Sequence, residues 1–262
     1  EVYARAVEFS AFQPIMRAHG QTSRFPWDYG KTGEKTYLKY YWLRENLLNT
    51  IYSTAIKSNK KGTPVATPLT MEYPNEAKYD GLYTTYLFCD DFLVSPVLEE
   101  QAYLNDVAFP KGTWYELWSG NEVLGSCERE VPVSLKDCPA YLKSGIVLPV
   151  IMNEKMKWAV PFSEQNQTKV IVITPPNMDD EYRYYAEEDD KYVFKCVKED
   201  ERVFTIYSLK DIFINKLLIY GNVHEIEVDG KKEEFSIVYE NQTMTALRLK
   251  SDRWNKLTIT CK

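Results

Sequence analysis

The hydrophobic positions near the start of the chain recur with the period of a helix. Apolar side chains at Val2, Ala6, Phe9 and Phe12 lie three or four residues apart, which places them on one face of a helix. Pro14 predicts the end of this helix, because proline disfavours the helical conformation in the residue before it. A second, longer helix is predicted further along, where apolar residues again form a stripe. The stripe consists of Tyr37, Tyr40, Tyr41, Leu47, Leu48, Ile51, Tyr52 and Ala55.

The segment between the two predicted helices combines a short apolar piece with a polar loop. Residues 15–16 are predicted to form a short strand that leads into Arg17 and His19. A turn-rich loop that contains Trp27 follows. Gly62 predicts the end of the second helix.

From about residue 67 the pattern changes to short stretches in which apolar and polar residues alternate between turn signals, and this predicts strands. The strands predicted before residue 154 are YLFCDDFLVSPVL, YLNDVAF, TWYELW, REVPVSL and YLKSGIVLPVI. A second block runs to the end of the chain, with KVIVIT, YRYYAEE, KYVFKCV, RVFTIYSL, NKLLIYG, HEIEVDG, FSIVYE, TALRLK and KLTITC. Within it, Asp229 and Gly230 predict a tight hairpin turn.

These patterns predict a mainly β protein that opens with helices. The spacing of strands and turns is typical of antiparallel sandwiches. We divide the chain into a helical segment at residues 1–66, a first sandwich at residues 67–153 and a second at residues 154–262. The connector at residues 151–155 marks the last boundary.

Composition and charge exclude several classes of protein. Hydrophobic residues make up 44% of the chain and aromatic residues 14%, enough for a packed core rather than a disordered chain. The net charge of −6 argues against a nucleic-acid partner, because nucleic-acid binders usually carry a basic patch. No run of about 18 apolar residues occurs, so no membrane span is expected.

The cysteines and two glycosylation signals point to different compartments. The 5 cysteines include no C-x-x-C pair, and an odd count with loose spacing favours free thiols and a reducing compartment. Asn166 and Asn241 begin N-x-T triplets, which would suit a secreted protein. The cytoplasm is therefore favoured, and secretion stays open.

Few residues stand out as candidates for chemistry. His19 lies beside a glycine at the start of a long loop, as a packing histidine or as a site residue, whereas His224 fits an exposed strand position. Nucleophile motifs and metal-ligand spacings are absent from the sequence, so we expect no metal and no cofactor. Trp114 and Trp118 lie four apart in one predicted strand and are expected to share a face, with core packing favoured over stacking on a sugar.

An ordered series of short motifs adds a resemblance to these patterns. The series includes Arg17-Ala18-His19-Gly20, Phe25-Pro26-Trp27, Gly62-Thr63-Pro64-Val65, Leu93-Val94-Ser95-Pro96-Val97, Phe109-Pro110-Lys111-Gly112-Thr113-Trp114-Tyr115, Trp118-Ser119-Gly120 and Gly145-Ile146-Val147-Leu148-Pro149. With these motifs in this order, the chain resembles glycoside hydrolase family 31, which contains α-glucosidases and α-xylosidases. The resemblance covers nearly the whole chain and is strongest up to residue 150.

The resemblance implies an architecture and also an absence. Residues 1–66 would be the last segment of a catalytic (β/α)8 barrel, residues 67–153 a proximal β-sandwich domain and residues 154–262 a distal one. Retaining glycosidases use two carboxyl groups about 5 Å apart. In this family both are aspartates upstream of the Arg-x-His-Gly motif, so the resemblance implies no catalytic residue within this chain.

The resemblance also suggests roles for three residues of the loop. His19 matches the family histidine that hydrogen-bonds the sugar in the −1 subsite. Arg17 lies two residues earlier on the predicted strand, so it shares a face with His19 and would support or orient it. Trp27 would line the substrate pocket, with simple packing as its alternative.

The function implied is that of the C-terminal part of a retaining exo-α-glycosidase, inactive by itself. Its partners would be an oligosaccharide or glycoside substrate and the rest of the barrel, as an upstream segment or a separate chain. Two alternatives remain open: a non-catalytic carbohydrate-binding module, and a sandwich that only supports the barrel. The pattern does not choose between glucose, xylose and galactose as the sugar.

Overall fold

Two helices open the chain, and strands dominate the remainder. The computed structural model describes residues 1–262 apart from the side chain of Asp180. The helices are α1 (Val2–Ala11), α2 (Gly30–Lys61) and the short α3 (Leu69–Glu72), with 3-10 turns at Pro26–Tyr29 and Ala77–Tyr79. None of the helices in the described chain is both long and apolar enough to cross a membrane.

The strands confirm a mainly β architecture. They are β1 (Ala66–Pro68), β2 (Tyr86–Phe88), β3 (Phe92–Val94), β4 (Leu104–Phe109), β5 (Thr113–Glu116), β6 (Glu122–Leu124), β7 (Cys127–Pro132), β8 (Ala140–Lys143), β9 (Val147–Asn153), β10 (Gln167–Ile173), β11 (Asp180–Tyr185), β12 (Lys191–Lys198), β13 (Val203–Ile212), β14 (Lys216–Ile219), β15 (Val223–Val228), β16 (Lys231–Lys232), β17 (Phe235–Glu240), β18 (Thr245–Leu249) and β19 (Trp254–Cys261).

Within the described residues these strands form four sheets. One six-stranded sheet has the order β1-β2-β3-β8-β5-β6, and β4 and β7 pair beside it as a two-stranded sheet. A five-stranded sheet has the order β17-β18-β14-β10-β9, and a second six-stranded sheet has the order β11-β12-β13-β19-β15-β16. Neighbouring strands are antiparallel except β10 and β14, which run parallel. Strand β9 includes residues 151–153 of the predicted connector at residues 151–155, and it pairs along its length with β10.

The five-stranded sheet is buried on both faces, and this explains the unbroken apolar run in β10. Val170 and Val172 point into a core shared with the helices and the first six-stranded sheet. Ile171 and Ile173 point to the opposite side, into the core between the five-stranded and second six-stranded sheets. Successive residues of a strand face opposite sides, so a strand in the middle of three layers needs apolar residues at every position.

The two predicted helices are confirmed, with one correction to the predicted stripe of α2. Gly62 ends α2 with a φ of 74°, a left-handed conformation that glycine adopts at little cost. Tyr40 and Leu47 are buried in the core as predicted, but Leu48 and Tyr52 are more than half exposed. The apolar residues of α2 therefore occupy two faces of the helix, one buried and one exposed. The sequence pattern predicts a single apolar stripe instead.

The short strand predicted at residues 15–16 is wrong. Residues 13–15 form a bend, and residues 16–20 have no regular secondary structure. A strand needs a neighbour that accepts and donates its backbone hydrogen bonds. No strand of the described chain lies beside this segment, so it remains a loop.

Two long predicted strands are in fact pairs of shorter ones. The stretch YLFCDDFLVSPVL turns back at Cys89 and Asp90, whose φ values of 53° and 63° are left-handed, and β2 pairs with β3 across this turn. The stretch YLKSGIVLPVI breaks at Gly145, which sends β8 and β9 into different sheets. By contrast, the predicted hairpin turn is confirmed, because Val228 pairs with Lys231 directly across it.

The two tryptophans predicted to share a face point into different cores. Strand β5 ends at Glu116, where the chain turns and the Gly120 N–H bonds back to the Glu116 carbonyl. Trp114 is fully buried in the core between the first six-stranded sheet and the β4–β7 pair. Trp118 lies beyond the strand and packs instead beside the helices. Core packing is confirmed for Trp114, and the shared face is wrong.

Candidate functional site

The candidate site is the loop that joins α1 to α2. Arg17 and His19 lie in its irregular first half, and both side chains are exposed. Trp27 lies in the 3-10 turn that leads into α2 and is 63% exposed. All three sequence-predicted site residues are therefore accessible to a ligand.

Two aromatic rings in this loop stack on each other and form a solvent-exposed aromatic surface. The rings of Phe25 and Trp27 lie 4.7 Å apart between centroids and are nearly parallel, at 9°. Phe25 is itself 56% exposed. A large apolar surface left open to water in this way is typical of a binding site or of an interface with another protein part.

The base of the loop is fixed to both helices. Tyr29 stacks on Tyr3 of α1 with ring centroids 3.9 Å apart, and its hydroxyl accepts a 3.0 Å hydrogen bond from Arg24. Gly33 of α2 lies directly beneath, where an added Cβ would come within 2.6 Å of the Tyr29 Cβ and 3.1 Å of the Pro26 carbonyl oxygen. Only glycine permits this close approach of loop and helix.

The loop offers binding groups but no catalytic pair of carboxylates. Its one carboxylate, that of Asp28, accepts a hydrogen bond from the Ser23 hydroxyl. In the described chain no hydrogen bond, ion pair or ring contact joins Arg17, His19 and Trp27 to one another. The described residues also include no group of His, Cys, Asp and Glu arranged to hold a metal ion. The loop therefore presents an imidazole, a guanidinium and an aromatic face to solvent as separate groups.

A polar cleft away from this loop was not anticipated from the sequence. It has a volume of about 470 Å³ and lies between α2, the β2–β3 turn and β11. Lys57 forms a 2.6 Å ion pair with Asp90, and the Tyr182 hydroxyl donates a 3.0 Å hydrogen bond to Asp91. Burial is the main cause that raises the pKa of Asp91 to about 7, and the neighbouring Asp90 carboxylate acts in the same direction. The two adjacent aspartates within an apolar stretch are the signal that could have found the turn.

A buried carboxyl group in α1 was also missed. Glu8 is 1% exposed, and its Oε2 accepts a 3.2 Å hydrogen bond from Arg5, whose guanidinium also donates to the Ser134 carbonyl. Burial raises the pKa of Glu8 to about 7, against the opposing effect of Arg5. The Arg5–Ser134 hydrogen bond ties α1 to the segment after β7. Nothing in the helical pattern of the sequence distinguishes Glu8 from an exposed residue.

Two family models match the chain in sequence order. Residues 1–54 match the glycosyl hydrolases family 31 TIM-barrel domain, and residues 62–148 match the glycosyl hydrolase family 31 C-terminal domain. Together they cover more than half of the chain. A barrel of this kind takes about 250 residues, so the first match is to part of that domain.

Curated relatives agree with the family models. An isomaltosyltransferase from Sporosarcina globispora is 31% identical over 166 residues, which cover 58% of this chain and 15% of the relative. An α-xylosidase from Saccharolobus solfataricus is 32% identical over 153 residues, which cover 58% of this chain and 21% of the relative. The chain thus matches only a small part of the length of these relatives.

Solved structures share the fold across nearly the whole chain. A cycloalternan-forming enzyme from Listeria monocytogenes in complex with a pentasaccharide substrate superposes with a TM-score of 0.85 at 20% identity, over 99% of this chain and 28% of that one. A family 31 dextranase from Flavobacterium johnsoniae in complex with glucose gives a TM-score of 0.79 at 20% identity, over 99% of this chain and 37% of that one.

Three findings point to the same family: the match to the barrel domain, the match to the C-terminal domain that follows it, and the β-rich fold. The chain belongs to glycosyl hydrolase family 31 and corresponds to a C-terminal portion of its members.

Proposed function

We propose that the chain is the C-terminal part of a retaining exo-α-glycosidase that hydrolyses terminal α-linked sugars of oligosaccharides. The observation that carries this proposal is the pair of family matches, in which part of the barrel domain is followed by the C-terminal domain. Relatives named α-xylosidase and α-glucosidase support the class of substrate.

The remainder of the catalytic barrel is the partner that this proposal requires, either as another part of the same polypeptide or as a separate chain. The outer face of α2 supports this requirement. Leu38, Tyr41, Leu48 and Tyr52 follow one another at steps of three, seven and four residues, so they lie on one side of the helix, and each is 37–57% exposed. An apolar stripe of this length is the surface by which a barrel helix packs onto its strands.

The proposal divides the chain into three parts. Residues 1–66 contribute to the barrel, residues 67–153 form the proximal sandwich domain, and residues 154–262 form the distal one. In this division β9 belongs to the proximal part but pairs with β10, so it acts as a bridging strand between the two sandwiches.

The chemistry would then be shared between this chain and the rest of the barrel. Two carboxyl groups from outside residues 1–262 would act as nucleophile and acid/base in a double displacement through a covalent glycosyl–enzyme. His19 would donate a hydrogen bond to a sugar hydroxyl, and Trp27 would line the pocket. Arg17 lies on no strand and makes no hydrogen bond with His19 in the described chain, so it would bind the same substrate rather than orient the imidazole. Their exposure in a loop anchored to both helices supports these roles.

Transfer to a sugar acceptor is a second candidate for the same site. The observation that favours it is that two relatives are named isomaltosyltransferase and 1,6-alpha-glucosyltransferase. A covalent glycosyl–enzyme can react with water or with a second sugar, so hydrolysis and transfer differ only in the acceptor.

The test is an assay of the complete protein on α-linked aryl glucosides, xylosides and galactosides, with the anomeric form of the product followed by NMR. We expect release of one terminal sugar with retention of configuration, and no turnover by the 262-residue chain alone. Disaccharide products at high sugar concentration would identify transfer as the main activity. Turnover by the isolated chain, or inversion of configuration, would contradict the proposal.

A further inference from the structure

A second cavity lies between α2 and the distal strands, away from the loop that holds His19. It has a volume of about 370 Å³, within the range of small-ligand sites. Its apolar surface comes mainly from strand residues that include Ile171, Tyr184 and Ile212. Three further aromatic side chains, those of Tyr192, Phe194 and Phe213, also line it.

An irregularity in β13 shapes the mouth of this cavity. Tyr207 pairs with Lys256 and Ile212 pairs with Trp254, so residues 208–211 of β13 lie opposite a single residue of β19. Such insertions bend a strand and redirect its side chains, and they are common next to binding sites. Phe213 lies two residues after the irregular segment, just beyond the end of β13, and is 73% exposed while lining the cavity.

The polar groups around the cavity are few and partly unused. In the part of the chain that the structure describes, the Asn49 amide and the Lys169 ammonium take part in no hydrogen bond or ion pair. Asp211 forms a 3.0 Å ion pair with Arg253, which does not line the cavity. Lys169 and Asp211 carry opposite charges, so the lining has no strong preference for an anion or a cation.

We propose that this cavity binds one or two units of a neutral α-linked oligosaccharide; this inference rests on the proposed function for the class of ligand. A sugar ring has an apolar C–H face that packs on aromatic rings such as Phe213 and Tyr192. Its hydroxyl groups need both donors and acceptors, which Asn49, Lys169 and Asp211 provide. An apolar pocket with a few convergent polar groups is the usual form of such a site.

The test measures binding of maltotriose and isomaltotriose to the complete protein by calorimetry, with an iminosugar inhibitor present to occupy the active site. We expect at least one trisaccharide to bind under these conditions. Phe213→Ala should weaken that binding about tenfold, the loss of one stacked ring, while Phe213→Tyr should retain it. Phe213 is exposed, so its replacement leaves the fold intact.

Leu209 provides the matched control, because it lies on the same irregular segment and is 84% exposed but does not line the cavity. Leu209→Ala should change the affinity by less than about twofold. The inference is overturned if neither trisaccharide binds in the presence of the iminosugar, or if Leu209→Ala and Phe213→Ala weaken binding equally. A protein that hydrolyses α-glycosides without such binding overturns this inference alone, whereas one that binds through Phe213 without hydrolysis overturns only the proposed function.

Discussion

The hydroxyl of Tyr182 on β11 donates a 3.0 Å hydrogen bond to Oδ2 of Asp91 in the β2–β3 turn. The contact joins two sheets across 91 positions of sequence. Burial, and then the Asp90 carboxylate, raises the pKa of Asp91 to about 7, while Tyr182, Lys143 and Lys57 act in the opposite direction. The turn therefore carries a carboxyl group that titrates near neutral pH.

Asp91→Asn is expected to flatten the pH dependence of stability. A carboxyl group with a higher pKa in the folded state stabilises the fold fully below its unfolded pKa, near 4, and this contribution is lost as the pH rises through 7. We expect Asp91 to account for a loss on the order of 2 kcal/mol, which the variant should lack. The contribution of Glu8, whose pKa is also raised to about 7, should remain in both proteins. Urea denaturation at pH 5 and at pH 8 gives the change in the free energy of unfolding with pH for the wild-type protein and for the variant.

The control for this experiment is Asp189→Asn, because the Asp189 side chain is fully exposed. It should leave the pH dependence of the wild-type protein unchanged. Equal slopes for the wild type and Asp91→Asn would show that Asp91 has the same pKa in the folded and unfolded states.

A single buried hydroxyl group links α2 to the segment that leads into β8. The Tyr40 hydroxyl accepts a 2.6 Å hydrogen bond from the Cys138 N–H, and Tyr40 is fully buried. Tyr40→Phe leaves that N–H without a partner, so we expect a loss of about 1–3 kcal/mol in the free energy of unfolding. In the 262-residue chain, Tyr41→Phe, at an exposed position of the same helix, should change the free energy of unfolding by less than about 0.5 kcal/mol. Similar values for the two variants would disprove the role of this hydrogen bond.

The two tryptophans in and after β5, Trp114 and Trp118, should affect stability to different extents. Trp114 is fully buried, and its indole N–H donates a 2.9 Å hydrogen bond to the Pro110 carbonyl, so Trp114→Ala should cost about 3–5 kcal/mol. Trp118 is partly buried, and the Lys39 ammonium lies 3.8 Å from the centroid of its ring. Trp118→Ala should therefore lower the free energy of unfolding by about 1–2 kcal/mol. Thermal unfolding of the two variants and of the wild-type protein measures both losses of stability. Loss of oligosaccharide binding by a stably folded Trp118→Ala protein would contradict a purely structural role.

The sequence predicts the element types well because they depend on local patterns. Most strands of the second block follow from alternation or from a short apolar run, and the Asp229–Gly230 turn follows from turn chemistry. The wrong predictions concern features that depend on contacts between residues far apart in the sequence. The strand at residues 15–16 has no partner in the described chain, and the Tyr182–Asp91 contact depends on how two sheets dock.

The candidate site is predictable only in part, for the same reason. The motif around His19 and the aromatic residues after it identify the loop, and the structure leaves them accessible. The cavity beside Phe213 depends on an irregular strand pairing, in which β13 gains residues relative to β19. No local pattern in the sequence marks this pairing, because it arises from the packing of non-adjacent strands.

The outer face of α2 provides a test of the missing barrel. Leu48 is 57% exposed, so in the 262-residue chain Leu48→Ala should change the free energy of unfolding by less than about 0.5 kcal/mol. In the complete protein the same side chain should be buried against barrel strands, and the substitution should cost about 2–4 kcal/mol. Denaturant unfolding of both proteins gives the comparison. Tyr83→Ser, at a site 90% exposed and far from α2 in sequence, should have little effect in either protein. If Leu48→Ala has the same small effect in both, the barrel does not cover this face, and the proposed partner of α2 is wrong.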